Sequence, residues 1–151
     1  GPGSLLGCLP AHGRDPELIR RLRDGETLRL VGGGHFLQQP ILAADLAALI
    51  LSAADNPRAA RRIYPAAGPE MIESREFYRL IAERLGVELK VEELPVSAYL
   101  AANPDKVSFL CHRIYDLRRL REDGLAAPST PVADGLRAHV DSILGASSAG
   151  G

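Results

Sequence analysis

The residues of this chain with chemistry to offer are few and scattered. Four histidines (His12, His35, His112, His139) and two cysteines (Cys8, Cys111) are its whole stock of imidazole and sulfur ligands. Cys8 with His12 and Cys111 with His112 would make four zinc ligands. Adjacent Cys-His pairs do not easily turn both side chains onto one ion, and the spacing matches no common site, so no metal is predicted. Neither cysteine has a base and an orienting carboxylate beside it, which leaves no catalytic thiol to name. Gly32-Gly33-Gly34-His35 follows a short apolar run and could be read as a loop that cradles phosphate. The dinucleotide fingerprint needs G-x-G-x-x-G opening a helix, whereas Leu37 stands at the third position here and the next residues read as extended. A structural turn is the expectation. Arg118, Arg119 and Arg121, with Arg113 upstream, would suit an anionic ligand or RNA, but their interleaving with Leu117 and Leu120 reads as the solvated face of a helix. Asp45 reads as a helix-start residue rather than a catalytic acid.

The elements that must position these residues follow from pattern and composition. A chain of 151 residues with 46% hydrophobic and 25% charged residues is expected to form one globular domain with a real core. Its formal net charge of -1 gives no general attraction to nucleic acid or to an anionic membrane. No apolar stretch approaches the roughly 20 residues that span a bilayer, and no basic-then-apolar leader opens the chain. Two widely separated cysteines read as reduced thiols of a cytoplasmic protein. Gly1-Pro2-Gly3-Ser4 matches the remnant of a removed affinity tag, with a native turn as the other reading.

Asp15-Pro16-Glu17 opens a helix that Gly25 ends. Leu28–Val31 reads as a strand, Gly32–Gly34 as a turn, and residues 36–41 as extended, with Pro40 barring a helix there. Leu42, Leu46, Leu49 and Ile50 fall at helical spacing up to Asn56-Pro57. Residues 62–65 form the second expected strand, turned by Ala67-Gly68-Pro69. Glu73 caps the next helix, with Glu76 in the capping-box position, Phe77, Leu80, Ile81 and Leu85 as its apolar stripe, and Gly86 as its end. Residues 88–94 form the third strand, and 95–102 a short helix stopped by Asn103-Pro104. Asp116 caps a helix through Leu117 and Leu120 to Gly124. Thr130-Pro131 opens the last helix, with Leu136, Val140 and Ile143 facing inward. Residues 145–151 are small and polar and read as a disordered tail. Strands alternating with helices predict an α/β fold with a small, mostly parallel sheet of about three strands, marginal as an independent unit.

Three segments carry a resemblance: Ala44-Asp45-Leu46-Ala47 opening a helix, the strand-turn-helix RIYPAAGPEMIESREF with its following Leu85-Gly86, and the closing YDLRRLREDGL and PSTPVADGL. In order and spacing they resemble the C-terminal, substrate-binding half of an extended or atypical short-chain dehydrogenase/reductase, the NAD-dependent epimerase/dehydratase family. The resemblance covers nearly all of residues 5–144 and implies a Rossmann-type enzyme whose nucleotide-binding half is not in this chain. It implies that this half lies over a sugar nucleotide or related substrate, while the other half holds NAD or NADP and enables epimerisation, dehydration or reduction. The family's catalytic pair is a tyrosine four residues before a lysine, the ammonium lowering the phenol pKa. The residues four before Lys90 and Lys106 are Gly86 and Ala102, and Tyr115 with Arg119 is no substitute, because a guanidinium does not titrate. The chain has neither GxxGxxG nor YxxxK. No catalytic residue and no cofactor are therefore assigned to it, and it is expected to be inactive alone.

The resemblance also marks a substrate-binding set. Gln38 stands where the family has an arginine on the substrate diphosphate, and an amide cannot make that bidentate, charge-assisted contact. Lys106, with Arg113 nearby, lies at the spacing of a second phosphate-binding arginine. His35 and Phe36 lie where the pocket wall would be. The set is thus His35, Phe36, Gln38, Lys106 and Arg113. The expected partners are a small-molecule substrate, the missing half and, through the face that half would cover, a second copy of the chain. The other reading is a natural half-protein that binds or assembles without chemistry.

Overall fold

The structure, a computed structural model, describes Leu5–Leu6 and residues 15–148. The expectations for residues 1–4, Cys8 and His12 lie outside the described residues. The chain divides into two compact units, where length and the lack of a linker predict one. Of the described residues, the first takes 5–6, 39–71 and 114–148, and the second 15–38 and 72–113. The chain passes between them four times with no run of Pro, Gly or Ser to mark the boundary, which is why composition misses the division.

In the second unit, β2 (Leu28–Val31) pairs in parallel with β6 (Val91–Leu94), Leu28 opposite Val91 and Val31 opposite Leu94. Leu28 and Leu30 are buried while Arg29 points out, within 3.7 Å of Glu92 on the neighbouring strand. Helices α1 (Asp15–Arg23) and α3 (Ser74–Leu85) supply the rest of the core through Ile19, Leu22, Phe77, Ile81 and Ala82. The stripe predicted for α3 is the face it buries, and the helix ends at Gly86 with φ 69°. The antiparallel pair of β3 (Leu37–Gln38) and β5 (Ile72–Glu73) leads into α3. After β6 come α4 (Val96–Ala102) and a 3-10 helix at Pro104–Phe109.

In the first unit, β1 (Leu5–Leu6) runs antiparallel to β4 (Ile41–Leu42), and α2 (Ala43–Ala54) follows directly. A 3-10 turn, Pro57–Ala59, is capped by Asn56, whose side chain accepts from Arg58 N–H at 2.9 Å. Helix α5 (Arg118–Glu122) has Leu117, not the expected Asp116, at its N-cap; Asp116, one residue earlier, accepts from Arg118 N–H at 2.9 Å. Leu49, Ala67, Leu117, Leu120 and Leu125 form one buried cluster. Leu136 and Val140 of α6 (Val132–Ser148) are almost wholly buried.

The α/β class, with helices flanking a small parallel pair, agrees with the sequence. Three local expectations are corrected. Residues 62–65 pair with no strand: the chain runs from Arg62 to Gly68 without helix, turn or bend, yet joins no ladder among the described residues. Residues 145–148 are not an irregular tail but the last turn of α6, carried on from its buried stripe. Glu73 sits at the start of α3 but makes no side-chain cap, because its carboxylate is engaged elsewhere.

Candidate functional site

The carboxyl ends of parallel strands are where α/β folds present loops to ligands. At the ends of β2 and β6, Gly32–Gly34 makes a tight 3-10 turn in which all three glycines have positive φ. Gly34 requires this most: with φ +77°, a Cβ there would lie 2.7 Å from Leu30 Cδ1 and 3.2 Å from the Arg75 nitrogen. The turn delivers the chain into β3, not into a helix. It therefore lacks the helix N-terminus that holds a pyrophosphate, and these residues do not fit a dinucleotide.

His35 follows, exposed, its Nδ1 2.9 Å from Glu73 Oε2. With Nδ1–H turned to the carboxylate, Nε2 is the nitrogen left to meet a ligand, as an acceptor when the ring is neutral. Phe36 fixes the start of α3: its carbonyl accepts from both Ser74 N–H at 3.0 Å and Ser74 Oγ–H at 3.1 Å. Its ring lies 6.0 Å from that of His112, tilted by 53°. Gln38, on β3 opposite Ile72, donates through Nε2 to Ser74 Oγ. The position that resembles an arginine site is thus a neutral amide already bonded to a hydroxyl.

Residues 112 and 113 run alongside β3. Leu37 N–H donates to His112 Nδ1 at 3.0 Å, and Leu37 O accepts from Arg113 N–H at 2.9 Å. The guanidinium of Arg113 reaches Ser108 O at 3.4 Å. Lys106, on the Pro104–Phe109 turn, has its ammonium 3.1 Å from its neighbour Asp105, whose carboxyl it holds below the ordinary aspartate range. Of the five predicted residues, His35, Phe36, Gln38 and Arg113 gather around β3, and Lys106 is tied to Asp105 on its own turn.

Sequence reasoning missed Glu73, Ser74 and His112 as parts of this network. Glu73 and Ser74 carry the signature of a helix start, and His112 stands beside a cysteine that suggested metal. Among the described residues, no three His, Cys, Asp or Glu side chains meet as metal ligands would. Cys111 is exposed, its thiol 3.4 Å from Ser108 O. Asp45 belongs to the first unit, where its carboxylate accepts from Ser129 N–H (3.0 Å), Thr130 N–H (2.8 Å) and Thr130 Oγ–H (2.9 Å). Among the described residues, no helix is long and apolar enough to cross a membrane. Chemically, the grouping around β3 offers amide, hydroxyl and imidazole hydrogen bonds beside an aromatic ring, with one guanidinium close by.

No family model matches the chain, and no curated protein does. Solved structures do. The UDP-glucose 4-epimerase of Thermotoga maritima, solved with UDP-glucose, superposes with a TM-score of 0.70 at 15% identity, over 88% of this chain and 42% of that one. The UDP-N-acetylglucosamine 4-epimerase of Methanobrevibacter ruminantium, in complex with UDP-N-acetylmuramic acid, gives 0.70 at 15% identity over 91% and 41%. RMD from Pseudomonas aeruginosa, complexed with NADPH, gives 0.66 at 16% over 87% and 41%. The chain has the fold of one part of these proteins, and spans about two-fifths of their length. That extent agrees with the C-terminal half the sequence resembles.

Proposed function

We propose that this chain is the substrate-binding portion of an NAD(P)-dependent epimerase, dehydratase or reductase acting on a sugar nucleotide or a related small molecule, and that it is not competent alone. The observation that carries the reading is the extent of the superposition: nearly all of this chain on less than half of each neighbour. The sequence supplies no YxxxK pair, and the glycine turn does not suit a dinucleotide. The nucleotide-binding half is the partner that would bring cofactor and catalytic pair. In this reading His35, Phe36, Gln38, Lys106 and Arg113 line the substrate side. Gln38 and the imidazoles would bind hydroxyls or carbonyls, and Arg113 and Lys106 any phosphate.

Titration calorimetry tests it. NAD and NADPH should give no stoichiometric heat with this chain, and should bind the intact gene product. Tight one-to-one NAD binding by the 151 residues alone overturns the proposal.

A further inference from the structure

The glycine turn that does not suit a dinucleotide seats an imidazole instead. At Gly33, where φ is +68°, a Cβ would lie 3.0 Å from His35 Cδ2 and 3.1 Å from its Nε2. The ring thus lies against a position that glycine alone fills without strain or collision. Its Nδ1 is held 2.9 Å from Glu73 Oε2, on β5. An exposed histidine ordinarily keeps its rotamer freedom. The His35 side chain, 62% exposed, is instead fixed by contact with the turn and by a carboxylate at one nitrogen. With Nδ1–H given to Glu73, Nε2 of the neutral ring is an acceptor.

A second acceptor stands near Nε2. Glu93, on β6 opposite Leu30, has its carboxylate carbon 3.9 Å from that same Gly33 Cβ position. The Glu93 side chain is exposed and makes no hydrogen bond or ion pair among the described residues. The imidazole nitrogen and this carboxylate are therefore two open acceptors at the carboxyl ends of β2 and β6, all within the second unit. Glu73 at Nδ1 and Glu93 near Nε2 place two negative charges about one neutral ring, which repels phosphate and favours a group that donates hydrogen bonds. Arg75 meets the turn at Gly34 through its Cβ and backbone nitrogen. Among the described residues, His35, Glu73 and Glu93 do not form a three-ligand metal group.

We propose that His35 Nε2 and the Glu93 carboxylate are an acceptor pair for a vicinal diol, of a ribose or of a hexose, and that Glu73 is the positioning residue that holds the imidazole in its accepting tautomer. This rests on the functional reading above for a sugar-bearing ligand, and names the part of that ligand the turn takes: hydroxyls, not phosphate. A diol brings two O–H donors on neighbouring carbons, one for each acceptor. Gly33 then sets specificity, because a side chain there would displace the imidazole.

Imidazole proton–nitrogen NMR spectra of the 151-residue chain at pH 8 decide the matter. The His35 Nε2 resonance should shift on titration with uridine or with methyl glucoside, and the one that moves it identifies the diol. It should stay in place with 2′,3′-dideoxyuridine, with inorganic phosphate and with methylammonium. Glu93→Gln should weaken the diol about tenfold, since it replaces a charged acceptor with a neutral one. Glu73→Ala should bring in the Nε2–H tautomer and weaken the diol, while Glu73→Gln, whose amide oxygen still accepts from Nδ1–H, should keep both as in wild type. Silence with both diols overturns the proposal, and so does a shift with phosphate or with methylammonium, which would make the turn an anion or a cation site. A wild-type tautomer in Glu73→Ala removes Glu73 as the positioning residue. Should a variant fail to fold, the wild-type titrations still decide. Cofactor binding by the intact gene product tests the functional reading separately. A diol on His35 with no NAD(P) held by the intact product defeats that reading alone, and NAD(P) held with His35 untouched by diols defeats this site alone.

Discussion

Tyr64 Oη donates to Asp123 Oδ2 at 2.7 Å, which ties the unpaired strand run to the end of α5. The same carboxylate, only 12% exposed, meets Arg62 at 3.1 Å, and the Asp123 carbonyl accepts from Asn56 Nδ2 at 2.7 Å. One residue therefore holds the strand run, the 3-10 turn before it and the helix end. Asp123→Ala should destabilise the first unit by about 2 kcal/mol, since its hydrogen bonds are to a shielded charge. Urea unfolding of wild type and variant measures this, and a change within error would show that the three segments are held otherwise.

The same pair sets a pH response. Desolvation, and then the bond to Asp123, raise the Tyr64 pKa above the ordinary tyrosine value. A raised folded-state pKa means that the stabilisation is complete below the unfolded value of about 10 and is lost as pH rises through the folded value. Melting temperatures from pH 8 to 11 should fall more steeply for wild type than for Tyr64→Phe. Parallel curves would remove Tyr64 as the source.

Asp45 and Glu70 anchor the start of α6. Asp45 takes three hydrogen bonds from Ser129 and Thr130, and Glu70 Oε2 accepts from Val132 N–H at 2.6 Å. Asp45→Ala should cost about 2 kcal/mol, the usual cost of losing bonds to a charged acceptor, and should expose the amides of Ser129 and Thr130 to exchange. A variant with wild-type stability but altered ligand binding would instead give Asp45 a part in the chemistry.

Gly68 lies against backbone: a Cβ there would sit 1.7 Å from Pro40 O. Gly68→Ala should therefore cost more than about 4 kcal/mol or abolish folding. Gly145, inside α6 with open space around its Cα, is the contrasting case. Gly145→Ala should stabilise by roughly 0.5–1 kcal/mol through helix propensity. Thermal melts of the pair check both, and equal effects would mean that neither environment is as described.

Gln38→Arg in the intact protein tests the substrate side. Restoring a guanidinium where the sequence resembles a phosphate-binding arginine should tighten a nucleoside diphosphate by about tenfold, with less effect on an uncharged sugar. Calorimetry with UDP and with a free sugar separates the two. Equal affinities before and after would place the phosphate elsewhere.

Much of the local structure was written in residue order. Leu28–Val31, the helix from Ser74 to Leu85 with its stripe and Gly86 stop, and the turn at Gly32–Gly34 all stand where period and composition put them. Those features depend on neighbours within a few residues, which one sequence displays directly. Residues 62–65, which alternate as a strand does, join no ladder among the described residues, because pairing needs a partner that local pattern does not name.

What tertiary structure decided were the partners. Glu73 has the same type and spacing whether it caps α3 or binds His35 38 residues away, and only the fold brings that imidazole within 2.9 Å. Asp45 reads as a helix-start acid in either case, yet its carboxylate is taken by residues 84 and 85 positions on. The division into two units and the choice of β2 with β6 are of the same kind. Long-range pairing depends on which surfaces meet once the chain is closed, and side-chain type and spacing along one sequence carry no record of that meeting.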